Sequence, residues 1–128
     1  MTDILTDLFL AAKAASEKAY APYSNFHVGA ALLTFTDKVY TGCNIENASY
    51  GATICAERTA IFKAVSEGET EFQAIAIHVN SPKIFPPCGM CRQVMSEFSS
   101  DMIIVYGNDQ NTAVSDIKKL LPDSFSLS

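Results

Sequence analysis

A chain of 128 residues, 48% hydrophobic and 18% charged, is long enough for one domain with its own core and too apolar to be a disordered segment. Nine basic against fourteen acidic residues leave a formal net charge of −5. That balance argues against a nucleic-acid partner, which would repel it, and against an anionic membrane surface, which would find no basic patch to attract.

In chain order, Ile4, Leu5, Leu8, Phe9, Ala12, Ala15 and Ala19 recur at three- and four-residue spacings. Residues 4–19 therefore read as an amphipathic helix stopped by Pro22. The apolar run from Leu8 to Ala12 does not read as a secretory leader, because Asp3 and Asp7 precede it and Lys13 interrupts it. No run approaches the length of a membrane span, so a cytoplasmic protein is expected. Residues 28–35 read as a buried strand, 36–37 as a turn, and 38–43 as the hairpin partner. Residues 44–53, rich in Asn, Ser, Gly and Thr, form a loop. A helix is expected from about Cys55 to Glu67, with Gly68 as its stop. Residues 72–79 are a strong strand, and 81–87 a stiff Pro-containing loop. A helix from Cys88 to about Phe98 follows, then a strand over 102–106, a turn at 107–109 and a last helix over about 115–121. Helix, hairpin, then strands alternating with helices imply a single three-layer α/β domain, residues 1–128, around a mixed sheet.

Four cysteines stand at Cys43, Cys55, Cys88 and Cys91. In a reducing compartment such a set binds metal or does chemistry more often than it forms disulfides. Cys88 and Cys91 lie three residues apart at a helix start, so their sulfurs share one side. Helix N-termini present unpaired N–H groups and partial positive charge, which favour thiolates. Cys55 opens the other helix. If both helices begin at the same edge of the sheet, three thiolates converge on one zinc, and three protein ligands leave a fourth position for water. Glu57, two residues from Cys55, then lies beside that water and can move its proton. Zinc with three thiolates carries a net −1. The only two arginines, Arg58 and Arg92, follow the two motifs closely and are read as offsetting that charge, although a solvated surface role is the plainer account of Arg92. Cys43 is read as a free thiol outside the site, and His27 and His78 as packed residues. A closed structural zinc module or a redox dithiol would use the cysteines but leave Glu57 idle.

Cys55-Ala56-Glu57 followed by Pro87-Cys88-Gly89-Met90-Cys91 resembles the signature of the zinc-dependent cytidine deaminases, whose glutamate is not a metal ligand. Tyr23 to Leu32 is similar to that family's first-strand segment, Gly42 to Ala48 to its ribose-binding segment, and Leu120 to Phe125 to its C-terminal end. The resemblance implies a three-layer α-β-α fold with about five strands, the fifth brief and near residues 110–114. It implies one zinc per subunit on Cys55, Cys88 and Cys91, with Glu57 shuttling protons. Asn44 and Glu46 would hydrogen-bond the ribose 3′-hydroxyl, Phe26 would pack on the pyrimidine, and the Ala56 N–H would meet the base carbonyl. Tyr50 and Phe125 would reach into a neighbouring subunit's site, because short members with three cysteines are homotetramers. The implied activity is hydrolytic deamination of cytidine and deoxycytidine, in pyrimidine salvage. Deaminases of the blasticidin type share the zinc motif; Phe26 and the Asn44–Asn47 segment favour a nucleoside instead.

Overall fold

Thr2 begins the first helix: its hydroxyl accepts the backbone N–H of Leu5 in the computed structural model, which describes residues 1–127. This helix, α1, spans Asp3–Ser16 and buries Leu8, Phe9, Ala12 and Ser16 along one stripe. It ends before Ala19, where the apolar spacing alone would carry it. The Ser16 hydroxyl turns back onto the Lys13 carbonyl at 2.6 Å, and the next three N–H groups bond three residues back instead of four. A side chain competing for a helical carbonyl and a tightened last turn account for the early stop.

Strands β1 (Val28–Thr34) and β2 (Val39–Cys43) form the expected hairpin, turning through Asp37 at φ +63°. A single 3-10 turn, Tyr50–Ala52, interrupts the loop before helix α2, Ala56–Ser66. Gly68, at φ +93°, terminates α2 in the left-handed conformation that glycine adopts without strain. Strand β3 covers Phe72–Val79, helix α3 Gly89–Phe98, strand β4 Ile103–Gly107, strand β5 Thr112–Asp116 and helix α4 Ile117–Leu120. The fifth strand falls two residues later than expected. The Asn108 side chain accepts the N–H groups of Gln110 and Asn111, holding both in a turn. The last helix is correspondingly shorter than the expected 115–121, because Ser115 and Asp116 pair with Ile104 and Ile103 in the sheet. Asp116 then caps α4 by accepting the Lys119 N–H.

The sheet runs β2-β1-β3-β4-β5, with β3 and β4 parallel and every other pair antiparallel. One row of registered residues, Thr41, Ala31, Ala76, Val105 and Val114, crosses it from edge to edge. Ala31, Ala76 and Val105 of that row pack under Leu8, Phe9 and Ala12 of α1. The opposite face carries Leu32, Ile75, Ile77 and Ile104 against Ile61 of α2, Met95 of α3 and Ile117 of α4. The three-layer arrangement and the mixed five-stranded sheet follow from this division of apolar side chains. Two close approaches depend on glycine. A methyl on Gly29 would lie 1.9 Å from the Ala12 carbonyl oxygen, and one on Gly42 would lie 2.6 Å from the Ala60 nitrogen.

Two histidines belong to this framework. His78, on the α1 face, hydrogen-bonds Asp109 at 2.9 Å and meets Phe9 edge-on. The Asp109 carboxyl is held below the usual range by His78 and by Lys13, 3.0 Å away. His27 lies at the start of β1, and its N–H is taken by the Asn80 side chain.

Candidate active site

The ends of β2 and β3, the start of β1 and the first turns of α2 and α3 meet at one edge of the sheet. Cys55 is the residue that caps α2, and Cys88 the one that caps α3. Both helices lie on the same face, so their positive ends converge. The Cys88 sulfur accepts the Cys91 N–H, and Cys91 follows one turn along the same side. Cys55 and Cys88 sulfurs are 3.7 Å apart, Cys88 and Cys91 sulfurs 3.2 Å, and all three lie within 4.8 Å of one another. A tetrahedral ion about 2.3 Å from each sulfur would set them about 3.8 Å apart, so the donor set fits zinc in both chemistry and spacing. All four cysteines are free thiols. Cys43, His27 and His78 are not among the groups that converge.

Charge within the triad is unequal. The Cys55 thiol is brought down to about 5, chiefly by the hydrogen bond it receives from Cys91, with Arg58 and Cys88 adding to the effect against its burial. Cys91 is pushed up for the reciprocal reasons, its hydrogen bond to Cys55 and its burial. Arg58 Nη2 donates to the Cys55 sulfur at 3.4 Å, and that contact raises the guanidinium further. Arg58 Nε is buried and has no hydrogen-bond partner among the described residues. Glu57 is 5% exposed, and burial pushes its carboxyl up to about 7. It lies outside the sulfur cluster.

The two arginines, alike in sequence position, part company here. Arg92 bonds to backbone carbonyls. Its Nε donates to the Pro87 carbonyl at 2.7 Å and its Nη1 to the Leu120 carbonyl at 2.8 Å. These two bonds fasten the start of α3 to the end of α4, whereas Arg58 contacts the Cys55 sulfur directly.

A cavity of about 280 Å³ opens at Cys55. Cys55, Ala56 and Glu57 form one wall, Val28, Ile77 and Val79 another, and Asn44 and Glu46 stand at the polar end. Phe26 lines it at 47% exposure and meets Phe85 edge-on, with centroids 6.0 Å apart. Asn44 is already engaged. Its Oδ1 accepts the Val28 N–H at 2.9 Å and its Nδ2 donates to the Phe26 carbonyl at 2.7 Å, leaving one N–H and one lone pair. Tyr50 is 87% exposed and lines an adjoining cavity that shares Ser24, Glu46 and Thr53 with the first. Phe125 is 67% exposed and lines neither. Sequence reasoning missed Phe85, Thr53 and Ser24. Phe85 sits in a loop with no periodicity, and Ser24 gains its place only through contacts made after folding.

Residues 3–107 match the family described as the cytidine and deoxycytidylate deaminase zinc-binding region. The chain is 48% identical over 124 residues to a cytidine deaminase from Sporosarcina psychrophila, covering 93% of this chain and 89% of that one. It is 51% identical over 114 residues to one from Halalkalibacterium halodurans, covering 88% and 86%. The crystal structure of cytidine deaminase from Burkholderia pseudomallei superposes with a TM-score of 0.90 at 52% identity, covering 98% of this chain and all of that one. The fold and its three-cysteine cluster are those of a zinc-dependent hydrolase. The chain belongs to the cytidine and deoxycytidylate deaminase family, and its metal is zinc.

Proposed function

We propose that this chain hydrolyses cytidine and deoxycytidine to uridine and deoxyuridine, releasing ammonia, and serves pyrimidine salvage in the cytoplasm. One observation carries the reading: a buried glutamate lines the same cavity as Cys55, one of three convergent sulfurs. Cys55, Cys88 and Cys91 would hold the zinc. When bound, zinc supplies Lewis acidity, lowering the pKa of a water molecule to about 7.

The remaining steps belong to the protein. Glu57 takes a proton from the attacking water and gives it to ring N3 as the new C4–O bond forms. It then takes the remaining proton from the hydroxyl now on C4 and delivers it to the 4-amino nitrogen; the C4=O double bond forms, the C4–N bond breaks, and ammonia leaves. A carboxyl that ionises near pH 7 is suited to both directions of transfer. The Ala56 N–H, at the start of α2, meets the base carbonyl, and Phe26 packs on the pyrimidine. Asn44 and Glu46 take the sugar 3′-hydroxyl, Asn44 with the amide N–H that the backbone leaves over. Arg58 offsets the thiolate charge. Tyr50 and Phe125, both far out in solvent in one subunit, complete a neighbour's site in a homotetramer. Among the described residues no helix is long and apolar enough to cross a membrane.

The test is ammonia release from cytidine by the purified protein, with and without a chelator, beside Glu57→Gln. The variant is expected to keep its zinc and lose at least a hundred- to ten-thousandfold in rate, on the order typical of general acid–base catalysis. Near-normal turnover by zinc-loaded Glu57→Gln would refute the assignment.

A further inference from the structure

Glu46 reaches the cavity from a polar loop, and nothing in its own segment holds its side chain. The hold comes from the segment before β1. Glu46 Oε1 accepts the backbone N–H groups of Tyr23 at 3.0 Å and Ser24 at 3.1 Å. Glu46 Oε2 is hydrogen-bonded to the Ser24 hydroxyl. That hydroxyl is in turn the acceptor for the Phe26 N–H at 3.0 Å. With a lone pair of Oγ occupied by Phe26, its one hydrogen is directed at the carboxylate. Asn25, between them, sits at φ +60°, a conformation Asn tolerates, and it folds the segment so that both bonds close. The Glu46 backbone N–H completes the attachment by donating to the Tyr20 carbonyl at 2.8 Å.

We infer that Ser24 is a positioning residue for sugar recognition: its hydroxyl fixes the Glu46 carboxylate, so that the lone pair left on Oε2 is set before substrate arrives. The inference rests on the reading of Glu46 as a sugar contact. Ser24 touches the cavity wall but acts through Glu46. The Glu46 carboxyl is held below its ordinary range, first by the Ser24 hydroxyl and then by the two backbone N–H groups, which agrees with an acceptor kept ionised. A hydrogen bond that orders a binding group equally in ground and transition states changes KM and leaves kcat alone.

The experiment compares zinc-loaded wild type, Ser24→Ala and Ser24→Thr on cytidine and on its 3′-deoxy analogue. Ser24→Ala is expected to raise KM for cytidine about tenfold, the order of one hydrogen bond to a charged group, with kcat within about twofold. On the 3′-deoxy analogue its KM should match that of wild type, and Ser24→Thr should restore the cytidine value. In a Glu46→Ala background, Ser24→Ala should add nothing. An unchanged KM for cytidine, an equal loss on both substrates, or full additivity with Glu46→Ala would overturn the role given to Ser24. A wild type that treats the two substrates alike would instead remove the sugar contact from Glu46 itself. Zinc content and melting temperature, measured on each variant, separate these results from a failure to fold. Should Ser24→Ala not fold, Ser24→Gly, which also lacks the hydroxyl, takes its place: a higher KM on cytidine alone would support the proposal, and equal changes on both substrates would oppose it.

Discussion

Gly42→Ala tests whether the contact between β2 and α2 sets the chemistry. A methyl on Gly42 would lie 2.6 Å from the Ala60 nitrogen, 2.8 Å from the Ala56 carbonyl oxygen and 2.8 Å from the Thr59 Cβ. Two of these atoms are backbone, so no rotamer change relieves them. To reach the 3.4 Å at which ordinary contact begins, the helix must withdraw by about 0.8 Å, the difference from 2.6 Å. Ala56 is bonded to both Cys55 and Glu57, so the displacement is passed to a zinc ligand and to the proton carrier together. A misplacement of about 1 Å can cost about a hundredfold in rate. We expect kcat to fall between about tenfold and a hundredfold, and overpacking to lower stability by about 1–3 kcal/mol. The assay is ammonia release under saturating cytidine, with zinc per chain and thermal unfolding measured on the same sample. A variant with kcat within twofold of wild type and a full complement of zinc would refute the claim that this contact positions the site.

Metal-free protein should show the cost of ionising Glu57. Its folded pKa, about 7, lies above the ordinary 4.5, so its contribution to stability is complete below about pH 4.5 and is lost as the pH rises through 7. The full difference is worth about 3 kcal/mol. Glu57→Gln should therefore be the more stable of the two at pH 8 and gain little at pH 4, as read by denaturant unfolding; superimposable difference curves would contradict this. Arg58→Ala removes the guanidinium 3.4 Å from the Cys55 sulfur. The thiol should ionise less readily, zinc should bind about tenfold more weakly, and the acid limb of the pH–rate profile should move upward. Competition with a chromophoric chelator measures the first effect, and an unchanged zinc affinity would count against the charge-offset role.

The parts of this molecule that were legible in the sequence are those governed by neighbours along the chain. Phe72–Val79 is a strand because eight consecutive residues are suited to a sheet buried on both faces, and its ends were readable to the residue. Cys55 and Cys88 each stand at a helix start, a local signal in both cases, and two such starts on one face bring their sulfurs together. What escaped depends on partners distant in sequence. Ser24 meets Glu46 across 22 residues, and Arg92 meets the Leu120 carbonyl across 28. The β5 and α4 boundary depends on which residues β4 selects as partners, a choice that propensity cannot make. Asn44 was read for its side-chain chemistry, yet most of its hydrogen-bonding capacity is used in joining the start of β1 to the end of β2.

The two helix caps that carry the sulfurs are separated by 33 residues and by the whole of β3. A chain growing on the ribosome therefore presents Cys55 seconds before Cys88 leaves the peptidyl-transferase centre, at ordinary elongation rates of about 5–20 residues per second. No short stretch of nascent polypeptide can form the complete triad. A product terminated before Cys88 would carry only one of the three sulfurs.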